Sequence, residues 1–176
     1  LVTGGSLGAL HINESMTGAA DALPEGVQVV HLTGRGKDEP VRAGVEAFGL
    51  ADRWHIIDYL TTMEDALAVA DLVVCRSGAG TVAEMEALGL PCMYVPLPIG
   101  NGEQRLNAAD HVAAGGAQLV DDKDFTADFV RRNVFPLLGS TRLADMAAAS
   151  QSLGRAGAAR ALADLALEQV KEACHE

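Results

Sequence analysis

Aromatic and basic residues are both scarce in this chain of 176 residues. Aromatic side chains make up only 4% of it, and 13 Lys and Arg stand against 24 Asp and Glu, for a formal net charge of −11. Binding to nucleic-acid phosphates requires a basic surface, and adsorption to anionic lipid requires the same. The composition therefore excludes nucleic acid as a partner and argues against electrostatic adsorption of this domain to a membrane.

Cysteines and long apolar runs are also few. The three cysteines, Cys75, Cys92 and Cys174, are widely spaced, which fits neither a disulfide framework nor a zinc site. No apolar run approaches the roughly 20 residues that span a bilayer, and no signal-peptide pattern occurs. We therefore expect a protein of the reducing cytoplasm, without a metal site and without a cofactor.

The remaining composition, 49% hydrophobic with 19 Gly, suits a single domain with a good-sized core. Short apolar runs alternate with helical patterns. Strands are predicted at Leu1–Thr3, Val27–Leu32, Trp54–Leu60, Leu72–Cys75, Cys92–Val95 and Ala117–Val120. Helices are predicted at Ala9–Leu23, Asp38–Phe48, Met63–Ala70, Thr81–Leu88, Gln104–Ala114, Thr126–Leu138, Thr141–Leu153 and Ala156–Val170. This alternation predicts an α/β fold, a Rossmann-like doubly wound parallel sheet of about six strands with a helical C-terminal tail.

The first predicted strand is unusually short. The chain opens on Leu1-Val2-Thr3 without Met and runs at once into the turn Gly4–Ala9, whereas a strand usually has more than three residues. We expect the chain to start inside or just before its first strand and to be one domain of a longer protein.

The segment Cys75–Glu84 carries the most specific chemistry. A buried strand leads into the small-sided turn Ser77–Gly80, and a helix follows. A helix N-terminus after a Gly-rich turn offers free backbone N–H groups and a positive dipole to an anion, most often a phosphate. Thr81 can add a hydroxyl, and Glu84, one turn later, can accept hydrogen bonds from two sugar hydroxyls. The alternative is that the glycines serve close packing and Glu84 is a solvated first-turn residue.

Three other strand-to-helix turns should reach the same sheet edge, because right-handed crossovers place all such turns together. Gly4–Ala9 places Ser6 where it can donate to a phosphate oxygen. Leu60 and Met63 could line an apolar slot, unless they are ordinary core. Gln104 and Asn107 are three residues apart, so both amides project from one helix face; they could recognise hydroxyls or simply be solvated. Together these features suit a nucleotide-sugar.

The motifs resemble a known family. They are Thr3–Ala9, Asp71–Glu84, Gly89-Leu90-Pro91 and Glu103–Ala108. In combination they resemble the C-terminal domain of the MurG family, the undecaprenyldiphospho-muramoylpentapeptide β-N-acetylglucosaminyltransferases of the GT-B type. The resemblance spans essentially the whole chain, residues 1–176. It implies the C-terminal, donor-binding half of a GT-B glycosyltransferase.

The resemblance also implies residue roles toward UDP-GlcNAc. Ser6 would contact a diphosphate oxygen, and the Leu60 backbone would read the uracil edge with Met63 and Arg76 nearby. The turn at Ala79, Gly80 and Thr81 would hold the diphosphate and touch the sugar, and Glu84 would bind the ribose hydroxyls. Gln104 and Asn107 would bind GlcNAc hydroxyls, as would Glu103. Two positions depart from the family pattern, since Leu7 and Glu103 stand where relatives often carry Gln; a carboxylate at 103 donates no hydrogen bond.

By resemblance, the reaction is an inverting, metal-free transfer of GlcNAc from UDP-GlcNAc to lipid I, giving lipid II for peptidoglycan. The general base, the acceptor site and the membrane contact belong to the family's N-terminal domain, which this sequence does not contain. We expect this chain to bind donor without catalysing transfer, as part of a peripheral enzyme on the cytoplasmic face of the bacterial plasma membrane.

Two alternatives stay open. One is another UDP-sugar enzyme of the GT-B type, such as a UDP-GlcNAc 2-epimerase or a glycolipid transferase. The other is a non-catalytic nucleotide-binding module. A redox dinucleotide enzyme is disfavoured because Gly4, Gly5 and Gly8 do not give the G-x-G-x-x-G spacing.

Overall fold

The structure, a computed structural model, describes residues 1–5, 9–99 and 101–154 together with residues 160, 163, 164 and 167. Its centre is one six-stranded sheet in the order β3-β2-β1-β4-β5-β6, with every pair parallel. The strands are β1 (Val2–Thr3), β2 (Val29–Leu32), β3 (Trp54–Ile57), β4 (Val73–Cys75), β5 (Cys92–Tyr94) and β6 (Ala117–Leu119). The predicted doubly wound fold is confirmed, and its strand order reverses between β1 and β4.

Helices connect the strands. They are α1 (Leu10–Gly18), α2 (Asp38–Ala47), α3 (Met63–Ala68), α4 (Ala79–Leu88), α5 (Glu103–Asn107), α6 (Ala109–Ala113), α7 (Ala127–Phe129) and α8 (Thr141–Leu153). The predicted bounds of α8 are confirmed. Of the helix predicted at 156–170, residues 160, 163, 164 and 167 are described and are helical. Its other residues lie outside the described residues, as do Ser6 and Cys174. Within the described part of the chain, no helix is long and apolar enough to cross a bilayer.

Two predicted helices are wrong as single elements. The segment predicted at 104–114 is divided at Ala108 into α5 and α6. The segment predicted at 126–138 is α7, then a π-helical turn at Val130–Val134 and a 3-10 turn at Phe135–Leu137. Pro136 lacks a backbone N–H and cannot continue a regular α-helix. Thr62 occupies the N-cap position of α3, but its side chain makes no capping hydrogen bond.

The core follows the alternation of side chains along the buried strands. In β4, Val74 joins one apolar cluster while Val73 and Cys75 join the other. In β5, Met93 lies in the first cluster and Tyr94 in the second. These two strands are therefore buried on both faces, which explains why their sequences are apolar without alternation.

The strand ends are level with one another across the sheet. Paired Cα positions run across its carboxyl edge through Ile57, Leu32, Thr3, Cys75, Tyr94 and Leu119. Every loop that leaves a strand on this edge therefore starts at the same height. Since ligands bind at the carboxyl edge near the reversal of strand order in such sheets, the loops after β1 and β4 define the candidate site.

Candidate functional site

A cavity of about 270 Å³ opens at the carboxyl ends of β1 to β4. Five of the predicted site residues line it. They are Leu60, Met63, Arg76, Thr81 and Glu84. Thr3 and Gly5 contribute the β1 side of the wall, and Asp58 and Tyr59 the β3 side. Gly34 adds the turn after β2, so the structure brings together residues from four separate strand-to-helix turns.

The N-terminus of α4 forms one rim of this site. Gly78 is the N-cap residue, with an extended backbone, and Val82 donates its N–H to the Gly78 carbonyl at 3.0 Å. The N–H groups of Ala79, Gly80 and Thr81 precede the first intrahelical bond and so lack a partner within the helix. The helix begins two residues earlier than predicted, which places Ala79 and Gly80 in its first turn rather than before it.

The glycines of this turn are not explained by packing. A Cβ added to Gly78 or to Gly80 would meet nothing within 4 Å, and neither residue has a positive φ. By contrast, a Cβ on Gly89 at the other end of α4 would lie 2.4 Å from Cγ of Gln151. The close-packing alternative for the turn is therefore wrong. The small residues leave open space above the free N–H groups.

Thr81, in the first turn of α4, is half-buried, and Glu84, one turn further along the helix, has an exposed side chain. Leu60, in the loop after β3, and Met63, the first residue of α3, are also half-buried and line the cavity. The cavity therefore has a carboxylate and a hydroxyl on one wall and apolar side chains with loop backbone on the other. A planar polar group could sit between the loop and the sheet, with hydroxyls directed at Glu84.

Arg76 is held by backbone and by a carboxylate. Its Nη1 donates to the carbonyls of Val95 and Pro96, both at 3.0 Å, and lies 2.5 Å from Oδ1 of Asp122. Only 13% of the Arg76 side chain and 16% of the Asp122 side chain is exposed. Asp122 opens a 3-10 turn after β6 and forms this partly buried pair. Nothing in the sequence connects two residues so far apart in the chain.

The amides of α5 lie beside the cavity rather than in its lining. Gln104 accepts the N–H of Leu97 at 2.9 Å through Oε1, and Asn107 donates Nδ2 to the carbonyl of Ser77 at 3.1 Å. The Asn107 bond ties α5 to the turn before α4. The Gln104 amide nitrogen and the Asn107 carbonyl oxygen are not used in these bonds. Glu103 is exposed at the start of α5.

The turn after β1 is described only up to Gly5 and again from residue 9. Gly5 has φ +78° and donates its N–H to Oγ1 of Thr3 at 3.3 Å. Both residues line the cavity. The backbone of Gly5 is left-handed, a conformation that glycine alone adopts freely. Ser6, the predicted phosphate ligand, follows directly and lies outside the described residues.

Tyr59 is a cavity residue that the sequence analysis missed. Its half-exposed ring carries the Arg35 guanidinium at 4.0 Å from the ring centroid. A cation over an aromatic face is an attractive arrangement. Arg35 is exposed, and this contact holds it beside the loop after β3. An isolated aromatic at a strand end is the only sequence signal for Tyr59.

Cys75 also lines the cavity but is not a reactive thiol. A hydrogen bond with Cys92, on the neighbouring strand, raises the pKa of Cys75, and burial raises it further. Because the thiolate is the nucleophile, a thiol held in its neutral form is inert near pH 7. The cavity thus offers binding groups, and Cys75 supplies apolar surface rather than covalent chemistry.

Fold and site together define a Rossmann-like α/β domain with an open cavity where its strand order reverses, the position at which such domains bind ligands. The family model described as glycosyltransferase family 28 C-terminal domain matches residues 1–162. The chain belongs to this family.

Similar proteins carry a more specific name. The UDP-N-acetylglucosamine–N-acetylmuramyl-(pentapeptide) pyrophosphoryl-undecaprenol N-acetylglucosamine transferase of Paenarthrobacter aurescens is 49% identical over 172 residues, covering 97% of this chain and 46% of the relative. Its namesake in Mycolicibacterium smegmatis is 49% identical over 177 residues, covering 98% and 45%. The chain therefore spans about half the length of the curated relatives it matches.

Solved structures agree on the fold. The crystal structure of Acinetobacter baumannii MurG superposes with a TM-score of 0.84 at 28% identity, over 94% of this chain and 48% of that one. A UDP-N-acetylglucosamine 2-epimerase superposes with a TM-score of 0.66 at 19% identity, over 97% and 43%. The second likeness is one of fold alone.

Proposed function

We propose that this chain is the UDP-GlcNAc-binding half of an inverting transferase that moves GlcNAc onto lipid I, undecaprenyl-diphospho-MurNAc-pentapeptide, to give lipid II for peptidoglycan. Support comes from the family match over residues 1–162 and from relatives of that name at 46–50% identity. The 2-epimerase alternative has only a likeness of fold at 19% identity or less behind it. A non-catalytic module has no observation of its own in favour.

The observation that carries the proposal is the cavity shared by Leu60, Glu84 and the N-terminus of α4. We assign uracil to the Leu60 backbone, with Met63 beside it, and the ribose hydroxyls to Glu84. The cavity, at about 270 Å³, is just below the range of about 300–1,000 Å³ typical of pockets for whole ligands. It therefore suits the nucleoside, while the diphosphate and hexose extend outward.

The diphosphate is assigned to the N–H groups of Ala79, Gly80 and Thr81, together with Ser6. When the glycosidic bond breaks, negative charge develops on the β-phosphate, and oriented N–H donors at a helix N-terminus stabilise such charge without a metal ion. The hexose is assigned to the unused amide groups of Gln104 and Asn107, with Glu103 at the rim as an acceptor only.

The remaining parts of the reaction are assigned outside this chain. We propose that the general base, the lipid I site and the membrane-contacting surface belong to an N-terminal half, and that the whole enzyme is peripheral on the cytoplasmic face of the plasma membrane. With a net charge of −11, the chain has little electrostatic attraction to anionic lipid. The chain alone is then expected to bind donor and to leave lipid I unchanged.

Calorimetric titration with UDP-GlcNAc, UDP-GalNAc and UDP, with and without EDTA, tests the proposal. We expect UDP-GlcNAc to bind more tightly than UDP-GalNAc, with no effect of EDTA. Binding of no uridine nucleotide, either to this chain or to a longer chain that includes the N-terminal half, would refute it. Equal affinity for the two sugars would leave a uridine-nucleotide site without the proposed hexose specificity.

The Glu84→Ala variant tests the ribose assignment. A hydrogen bond to a charged group contributes about 1.5–3 kcal/mol, so we expect Kd for UDP to rise about tenfold or more. Affinity for 2′-deoxy-UDP should fall less, because one of the two hydroxyls is already gone. Glu46→Ala, at an exposed position of α2, is the matched control. An equal loss for both nucleotides would contradict the assignment.

A further inference from the structure

Arg76 joins the wall of the cavity to the loop after β5. Arg76 lines the cavity, and its Nη1 donates to the carbonyls of Val95 and Pro96 at 3.0 Å each. These carbonyls open the loop that leads to α5, and Leu97 in that loop donates to Gln104. The position of the loop relative to the cavity therefore depends on where the Arg76 guanidinium lies.

Asp122 fixes that guanidinium from the far side. Its Oδ1 lies 2.5 Å from Arg76 Nη1, and its Oδ2 lies 3.0 Å from Nδ1 of His11 in the first turn of α1. Four segments of the carboxyl edge meet in this cluster. They are the turn before α4, the loop after β5, the 3-10 turn after β6 and the start of α1.

The cluster is buried enough for charge to matter. The side chains of Arg76 and Asp122 are 13% and 16% exposed. A guanidinium removed from water needs a compensating charge, because backbone carbonyls satisfy its hydrogen bonds without neutralising it. Among the described residues, Nε of Arg76 and Oδ1 of Asp122 are both buried without a hydrogen-bond partner. Asp122 therefore holds the guanidinium by charge, as an ion pair, while the two carbonyls accept its hydrogen bonds.

We propose that Asp122 is a positioning residue for donor binding. It holds Arg76 in the cavity wall and, through Arg76, holds the loop that carries Gln104 against the N-terminus of α4. The inference rests on the proposed function, since it concerns the same UDP-sugar site. Asp122 itself does not line the nucleotide cavity; it lines a neighbouring cavity, with Pro96 and Arg105.

The neighbouring residue supplies a matched control. Asp121 pairs with Arg105, but these side chains are 48% and 54% exposed. An exposed ion pair contributes little, because water screens it and two long side chains must be ordered. Asp121→Asn therefore removes the same charge one residue away without disturbing Arg76.

The test is a double-mutant cycle in donor affinity, measured by calorimetry on wild type, Asp122→Asn, Arg76→Lys and the double variant. We expect Asp122→Asn to raise Kd for UDP-GlcNAc about tenfold and Asp121→Asn to change it less than twofold. If Asp122 acts through Arg76, the double variant binds no more weakly than Arg76→Lys alone. Additive losses, or an unchanged Kd in Asp122→Asn, would overturn the inference.

Calorimetry separates positioning from simple destabilisation. A variant that is only partly folded shows fewer binding sites per chain with an unchanged Kd, and this result would overturn the inference. Loss of positioning instead raises Kd while the number of binding sites per chain stays at one. If Asp122→Asn does not fold, Asp122→Glu replaces it, because this variant keeps the charge but places it on a longer side chain. We expect Asp122→Glu to raise Kd severalfold, and an unchanged Kd would again overturn the inference. Failure of wild type to bind would instead remove the proposed function, and this inference with it.

Discussion

The buried histidine of β2 predicts that the protein loses stability in mild acid. His31 is fully buried, and the indole Nε1 of Trp54 donates to its Nδ1 at 3.2 Å. Because an indole can only donate, Nδ1 must accept, and the ring proton lies on Nε2. That nitrogen donates to Oδ1 of Asn13 at 3.1 Å. Protonation of Nδ1 would break the bond to Trp54 and leave a charge in the core.

The direction and size of the effect follow from the pKa. Burial lowers the pKa of His31 from 6.5 to about 3. Below pH 6.5 the unfolded chain therefore binds a proton at His31 that the folded chain does not bind. The free energy of unfolding then falls as the pH falls from about 6.5 toward 3. At pH 5 the loss is about 1.5 pH units times 1.36 kcal/mol, or about 2 kcal/mol. This value is insensitive to the folded pKa, which lies well below 5.

Urea unfolding at pH 7.5 and pH 5.0 measures this loss, with Trp54 as the reporter, since it is the single tryptophan and touches His31. The His31→Gln variant keeps a donor for Asn13 and an acceptor for Trp54 but does not titrate. We expect wild type to lose about 2 kcal/mol more than His31→Gln between the two pH values, about 4–8 °C in Tm for a chain of this size.

His55→Gln is the control, because His55 lies exposed on the neighbouring strand β3 with Gln28 as its partner at 2.8 Å. It should lose as much stability as wild type. Other groups, including His111, whose pKa burial also lowers, titrate alike in all three proteins and cancel in the comparison. Equal losses in wild type and His31→Gln would refute the reasoning.

Two further pairs of variants test packing and buried hydrogen bonds. Gly80→Ala places its new Cβ in open space in the first turn of α4, so it should be neutral or stabilise the protein by up to about 1 kcal/mol. Gly89→Ala forces φ +67° on alanine and places its Cβ 2.4 Å from Cγ of Gln151, so it should destabilise the protein by about 1–3 kcal/mol. Thermal unfolding compares the two variants, and an equal loss of stability in both would contradict the open turn. Ser150 accepts from His111 Nε2 at 2.7 Å and donates to the Leu90 carbonyl at 3.1 Å. Ser150→Ala should therefore lower the free energy of unfolding in urea by about 1–3 kcal/mol. The exposed Ser152→Ala variant should change it by no more than about 0.5 kcal/mol, and similar losses in the two variants would argue against the buried network.

The sheet was predictable because its signals are local. Apolar runs bounded by Gly-rich turns mark each strand, and alternation with helices then requires parallel pairing. The irregular segment after β6 was not predictable in this way. Val130 and Val134 are spaced for a helix and are both buried, so the pattern favours one helix through Leu138. In the structure the same two valines are buried by a π-helical turn, which a 3-10 turn containing Pro136 follows.

The site was predictable where it depends on strand ends and not where it depends on distant partners. Leu60, Arg76 and Glu84 follow strands whose carboxyl ends must converge, so their shared cavity follows from topology. The pairing of Arg76 with Asp122 links separate loops, and no spacing rule encodes it. The roles of these residues toward UDP-GlcNAc stay predictions, to be tested by the titrations.

The charges around the cavity indicate how it would hold an anion. Two acidic residues, Asp58 and Glu84, and one basic residue, Arg76, line the cavity among the described residues. Arg76 is already paired with Asp122. Side-chain charge therefore gives a diphosphate little attraction in the part of the wall that the structure describes. In the proposed complex, the neutral N–H groups at the start of α4 would then be its main source of stabilisation, and their effect decays within about one helical turn. The diphosphate must then approach the backbone closely, which the open space above Gly78 and Gly80 permits and which a larger side chain directed into that space would oppose.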